Sequence, residues 1–243
     1  MGTREAAHRE NQPWGDAQLL HCRACPRLAA YREAVARKVP PRFRQEVAVH
    51  GFWARPVPAF GDPEAWLAIV GLAPAAFGAN RTGRMFTGDR SGEFLYAALA
   101  RAGLASQPES RHRGDGLVLP GVLVTAALRC APPENKPRPE ELARCRGFLA
   151  QDLARLAKLE VILALGRIAH EAVLAVAARE LRPKPRFAHG AVLRLPSGVW
   201  LVDSYHVSQQ NTFTGRLTAA EFDRILARCR ELVGKEEIAH GAG

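Results

Sequence analysis

Four short apolar runs set the strongest limit on the fold: WLAIVG at 66–71, GVLVTAA at 121–127, EVILAL at 160–165 and VWLVD at 199–203. Each has the length of a strand and none alternates polar with apolar residues, so each must be covered on both faces. Segments with helical character separate them, over 91–102, 139–158, 166–181 and 218–233. Pro139 followed by Glu140 and Glu141 suits a first helical turn, and Thr218 with Glu221 three residues later makes a capping box. This alternation predicts an α/β fold, a three-layer α/β/α sandwich with a central, mainly parallel sheet, and AVLRL at 191–195 as its edge partner. Ligands of such folds bind beyond the carboxyl ends of the strands. That rule singles out the loops 71–90, 128–138 and 204–217.

A chain of 243 residues, 47% hydrophobic, can bury a sizeable core. No apolar stretch reaches the roughly 18–20 residues of a membrane span, and the start MGTREAAHRENQPW has no apolar region of the secretory type. A cytoplasmic, nucleoid-associated protein is expected. Residues 1–20 and 235–243 read as flexible ends around one domain at 21–234, in which 22–48 form an Arg-rich helical segment. The net charge is +10, and 29 of the 34 basic residues are arginine. Such a balance favours a polyanionic partner, although a GC-rich coding sequence also inflates arginine.

Five cysteines lie at 22, 25, 130, 145 and 229. Cys22 and Cys25 form a CxxC pair, and Cys130 and Cys145 flank a proline-rich turn. Two such pairs can share one centre, and soft sulfur ligands suit zinc or an iron–sulfur cluster; spacing alone does not choose between them. Cys229 sits on the apolar face of the last helix, with Phe222, Ile225, Leu226, Leu232 and Val233, and reads as a core thiol.

The loop GLAPAAFGANRTGRMFTGD at 71–89 allows close backbone approach to a ligand but holds a single carboxylate, Asp89. At the same sheet edge, SYHVSQQNTFTG places His206 just past a strand and a polar stretch, Ser208, Gln209, Gln210, Asn211 and Thr212, ahead of a helix. Such a stretch can donate hydrogen bonds to phosphates. A structural histidine at 206, an αL turn at Asn80 and a core role for Phe86 remain open on residue type alone.

These motifs together resemble the uracil-DNA glycosylase superfamily, most closely its type 5 branch. The resemblance rests on Gly71-Leu72-Ala73-Pro74-Ala75 with its GANRTGRMFTGDRSG continuation, HVSQQNTFTG, the cysteines at 22, 25, 130 and 145, and VTAALRCAPPENKP, in that family's order. It implies a monofunctional hydrolase that flips uracil out of duplex DNA and cleaves its N-glycosidic bond, acting as a monomer. It implies a 4Fe-4S cluster on Cys22, Cys25, Cys130 and Cys145. Asn80 and His206 are the implied catalytic pair, with Asn80 orienting water because Leu72 stands where the type 4 branch has glutamate. Gly71 to Ala75, Phe86 and Ala126 are implied to contact the base, and Ser208, Gln209, Gln210 and Asn211 the DNA, for which Arg81 and Arg84 are further candidates. Ala126 stands where the type 4 branch pairs an asparagine with uracil, so the expected substrate range extends to hypoxanthine. The competing reading is a non-catalytic, metal-stapled nucleic-acid-binding protein.

Overall fold

A computed structural model describes residues 14–234. Of the flexible ends expected at 1–20 and 235–243, residues 1–13 and 235–243 lie outside the described residues. Among the described residues the α-helices α1 (Ala17–Leu20), α2 (Pro26–Ala36) and α3 (Arg44–His50) come first, followed by β1 (Phe60–Gly61), β2 (Leu67–Gly71), α4 (Ala79–Thr82) and α5 (Arg90–Arg101). The chain continues through β3 (Val122–Ala126), α6 (Pro139–Ala154), β4 (Val161–Leu165) and α7 (Arg167–Ala177). It closes with β5 (Val192–Arg194), β6 (Trp200–Ser204), α8 (Gln209–Phe213) and α9 (Ala219–Leu232).

The strands form one sheet in the order β1-β3-β2-β4-β6-β5. The four central strands are parallel, and β1 and β5 pair antiparallel at the two edges. Side chains alternate between two cores. Leu67, Ile69, Val122, Val124, Leu163 and Val202 pack with Leu95 and Leu99 of α5 and with Phe222, Leu226 and Cys229 of α9. Ala68, Val70, Leu123, Ile162 and Leu201 face the other way, onto Leu149 of α6 and Val173 of α7. This is the expected three-layer sandwich, and strands covered on both faces are why the four runs carry no polar alternation.

Local chemistry sets the helix ends. The Thr218–Glu221 capping box forms, with Thr218 N donating to Glu221 Oε2 at 2.7 Å and Glu221 N donating to Thr218 Oγ1 at 3.2 Å. The expected helix at 166–181 stops at Ala177, and 182–190 runs as a non-helical strap. Pro183 and Pro185 keep the strap non-helical, because a residue before proline is pushed out of the helical region; they do not account for the end at Ala177.

Two expectations need correction. Residues 14–20 are not loose: Trp14 and Leu19 are buried, and Trp14 Nε1 donates to Gly61 O at 3.1 Å. The segment 22–48 is broken rather than continuous, with α2 ending at Ala36 and a single tight turn at Pro41–Phe43 before α3. The strand Phe60–Gly61 has no counterpart in the sequence reading; at two residues it is too short for any periodicity.

Candidate active site

The carboxyl ends of the parallel strands stand in line. Gly71 ends β2 opposite Ala126 of β3, and Leu165 of β4 lies opposite Ser204 of β6. Gly166 N donates to Ser204 O at 2.7 Å, which carries the pairing past the strand ends. Ala127 N and Leu128 N donate to Gly71 O and Leu72 O, so the chain leaving β3 holds the first turn of the 71–90 loop.

Phe86 lies over this edge. A Cβ on Gly71 would stand 2.7 Å from the Phe86 ring, so only glycine lets the phenyl group lie against the backbone there. Phe86 is held at φ 52°, a left-handed conformation unusual for an aromatic residue. Its neighbours impose it. Tyr96 Oη donates to Met85 O at 2.7 Å, and a Cβ on Gly92 would stand 1.7 Å from Phe86 O. Asp89 caps α5, its Oδ1 accepting from Gly92 N at 2.9 Å, so the same glycine anchors the helix start and admits the Phe86 carbonyl.

His206 reaches the same place from β6, its ring centroid 6.0 Å from that of Phe86. Asn211 Nδ2 donates to His206 O at 2.8 Å and so fixes the backbone that carries the imidazole. Burial pushes the His206 pKa down to about 4, so the ring is neutral at physiological pH.

The remaining expected site residues divide into two groups. Leu72, Ala73 and Ala75 are half-buried along the loop, Pro74 and Ala126 are buried, Ser208 is half-buried, and Gln209 and Gln210 are exposed. Asn80 is fully buried: its Nδ2 donates to Ala76 O at 3.2 Å and to Arg32 O at 3.3 Å, and its Oδ1 has no hydrogen-bond partner among the described residues.

Arg81 and Arg84 do not face a DNA ligand, contrary to expectation. Arg84 is 1% exposed, donates to both carboxylate oxygens of Asp115 at 2.7 and 2.6 Å, and reaches Ser110 Oγ at 2.7 Å. The Arg84 guanidinium and two backbone N–H groups hold the Asp115 carboxyl below the usual carboxylate range against the opposing effect of burial. Arg81 is buried against Glu46, Phe77 O and Gly88 O, with its guanidinium over the Phe43 ring. Both arginines fold the loop rather than bind phosphate. Arg129 is likewise buried, against Asp152.

Residues 58–230 match the family model described as the uracil DNA glycosylase superfamily. A type-5 uracil-DNA glycosylase of Thermus thermophilus is 53% identical over 216 residues, 89% of this chain and 95% of that relative. One of Mycobacterium bovis is 49% identical over 91% of this chain and 81% of its own, and one of Pyrobaculum aerophilum 42% over 87% and 88%. The chain belongs to the uracil-DNA glycosylase superfamily. The resemblance read from four separate motifs is borne out, and the relatives are named for its type 5 branch.

In this superfamily member the four expected cysteines gather. Cys22, Cys25, Cys130 and Cys145 line one hollow at the seam of α2, α6 and the chain after β3, together with Arg32, Arg129 and Arg144. Burial raises the Cys130 pKa and pushes that of Cys145 up to about 12, while Arg32 and Arg129 oppose the rise. Among the described residues no three His, Cys, Asp or Glu side chains close around a single metal ion. Cys229 is a core thiol, as expected.

Some residues near the site escaped the sequence reading. Exposed Arg55 and Arg113 flank the Trp53 ring at 5.8 and 4.2 Å, and Trp53 packs on Gly83 of the 71–90 loop. Phe213, at the end of α8, is 75% exposed. The strap at 182–190 is pinned beside His206 by a buried pair: His170 Nδ1 lies 2.9 Å from Asp203 Oδ1, and its Nε2 lies 3.1 Å from Pro185 O. The Trp-x-Arg spacing of 53–55 and the terminal phenylalanine of SQQNTF were visible signals. The His170–Asp203 pair, 33 residues apart, had none. No helix among the described residues is long and apolar enough to cross a membrane.

Proposed function

We propose that this chain excises uracil from DNA by hydrolysing its N-glycosidic bond, the opening step of base excision repair. One observation carries the reading: the Phe86 ring lies on Gly71 at the sheet's carboxyl edge with the His206 imidazole beside it. Relatives at about half identity, named as uracil-DNA glycosylases, support it independently.

A base inside a duplex is out of reach, so it is flipped out at a cost of a few kcal/mol. It stacks on Phe86. The bond from the sugar to the base breaks toward an oxocarbenium-like sugar, and negative charge gathers on the departing ring. His206, neutral because it is buried, donates its N–H to the uracil O2 as that charge grows. A preorganised donor of this kind contributes roughly 3–4 kcal/mol. No strong base is needed at the loop, because such a transition state asks for oriented water more than for a deprotonated one. Asn80 supplies the orientation: both its N–H groups face carbonyls, which leaves the Oδ1 atom to hold water.

Ala126 offers the base no hydrogen bond, so the pocket excludes other bases less strictly, and hypoxanthine is a second substrate. Ser208, Gln209 and Gln210 approach the DNA, and Phe213 enters the stack that the flipped base has left. Arg55 and Arg113, rather than Arg81 and Arg84, take phosphate contacts. The enzyme acts as a monomer on duplex DNA.

The four cysteines suit a 4Fe-4S cluster. The donor set is all thiolate and lines one hollow, and the resemblance to the type 5 branch implies the cluster rather than zinc. Cys22, Cys25, Cys130 and Cys145 would hold it, and it would staple the start of α2 to α6 and the chain after β3.

Release of free base from uracil- and hypoxanthine-containing duplexes tests the reading. His206→Ala is expected to slow uracil release about 100- to 1,000-fold with duplex affinity retained. Binding without release of base would identify a non-catalytic binder instead.

A further inference from the structure

We propose that Arg32 is a positioning residue that couples the cysteine centre to the Asn80 amide. The inference rests on the reading of Asn80 as the water-orienting group.

Arg32 lies on α2 and is 3% exposed. Its Nη1 donates to Cys130 Sγ at 2.9 Å and its Nη2 to Cys22 O at 3.2 Å, so the side chain grips both cysteine-bearing segments. Its own carbonyl accepts from Asn80 Nδ2 at 3.3 Å. One residue therefore touches the sulfur centre with its side chain and the active-site loop with its backbone.

The amide has little freedom. A side-chain amide has two N–H donors and one carbonyl acceptor. Ala76 O and Arg32 O take both donors. Turning the amide over would set its oxygen against two carbonyl oxygens, so the flipped state is repelled. Ala76 belongs to the same loop as Asn80 and moves with it. Arg32 belongs to another element, α2, which the guanidinium grip at Cys130 and Cys22 helps to hold in place beside buried Leu28 and Ala29 and the Arg27–Glu141 pair. If α2 shifts, Asn80 loses the hydrogen bond that ties its amide to that helix. Groups behind a site's reacting residues commonly change activity 10- to 100-fold when lost.

The experiment uses the purified protein with its sulfur-bound group in place. Arg32→Gln, Arg32→Lys, Asn80→Ala and the double variant Arg32→Gln/Asn80→Ala are compared by single-turnover excision, duplex affinity, visible absorption and exchange of the Asn80 side-chain amide protons followed by NMR. Arg32→Gln is expected to lower the single-turnover rate about 10- to 100-fold at unchanged affinity and to speed exchange at the Asn80 amide. Arg32→Lys, which keeps a donor for Cys130, is expected to restore part of both and serves if the glutamine variant fails to fold. In the Asn80→Ala background Arg32→Gln is expected to cost nothing further. Unchanged amide exchange in both Arg32 variants, or an equal rate loss with and without Asn80, overturns the proposal. If Asn80→Ala alone keeps full rate, it is the water-orienting reading that fails, and the exchange data still decide whether Arg32 holds the amide.

Discussion

The Phe86 and His206 rings stand 6.0 Å apart with their planes inclined by 32°, although they lie on the segments that follow β2 and β6, which are not neighbours in the sheet. β4 runs between those strands, and the residue after its end is Gly166. A Cβ there would lie 3.4 Å from the Cβ of His206. Gly166 takes φ 93°, a left-handed conformation that favours glycine, and His206 packs against it.

Gly71→Ala tests the Phe86 seat. The added methyl group would stand 2.7 Å from the ring, which can swing away because it is the far end of a side chain. Thermal stability is expected to change little, while kcat/KM for uracil release falls at least about tenfold. A variant with full activity removes Phe86 from the site.

Gly92→Ala is expected to do both kinds of harm. Its methyl group would stand 1.7 Å from the Phe86 carbonyl oxygen, and backbone must move to admit it. A loss of about 1–3 kcal/mol in denaturant unfolding should accompany the loss of activity. Gly147→Ala, inside α6 with open space around it, is the control and should gain roughly 0.5–1 kcal/mol.

The neutral state of His206 predicts a specific pH dependence. Its folded pKa of about 4 lies below its unfolded value near 6.5. The unfolded chain takes the proton first on acidification, so the stability that burial of the neutral ring requires is present above pH 6.5 and lost as pH falls from 6.5 toward 4. Wild type should lose roughly 2–3 kcal/mol relative to His206→Gln over that range. Excision should show no titration near 6.5. A rate that follows an ordinary histidine pKa would point to a charged donor instead.

Arg84→Met should destabilise by about 3–5 kcal/mol, because it leaves Asp115 with its guanidinium partner gone. The lowered Asp115 pKa contributes stability that is present above its unfolded value near 3.8 and lost as pH falls below it. Where the variant stays folded, the salt slope of DNA binding should match wild type; a decrease of about one would restore Arg84 as a phosphate contact.

Phe213→Ala should leave the melting temperature almost unchanged, since the ring is 75% exposed. Uracil release should fall more on duplex than on single-stranded DNA, where there is no stack to enter. Equal losses on both substrates would argue against a wedge.

The architecture was largely legible in the chain. Strands such as VILAL at 161–165 carry no polar residue because they face two helical layers, and the caps at Pro139 and Thr218 declare helix starts by local chemistry alone. That four of the five cysteines come together was legible too, from their spacing. The arginines were not. Arg84 and Arg55 look alike in sequence, yet one is sealed against Asp115, 31 residues away, and the other lies exposed on Trp53.

What the sequence determined by itself was therefore whatever depends on near neighbours: period, caps, glycine freedom and ligand spacing. Only tertiary structure decided which charges are buried, that the imidazole at 206 is neutral, and that Asn80 leans on α2. Charge burial, dielectric surroundings and hydrogen-bond partners are properties of groups brought together from distant parts of the chain, and no local pattern encodes them.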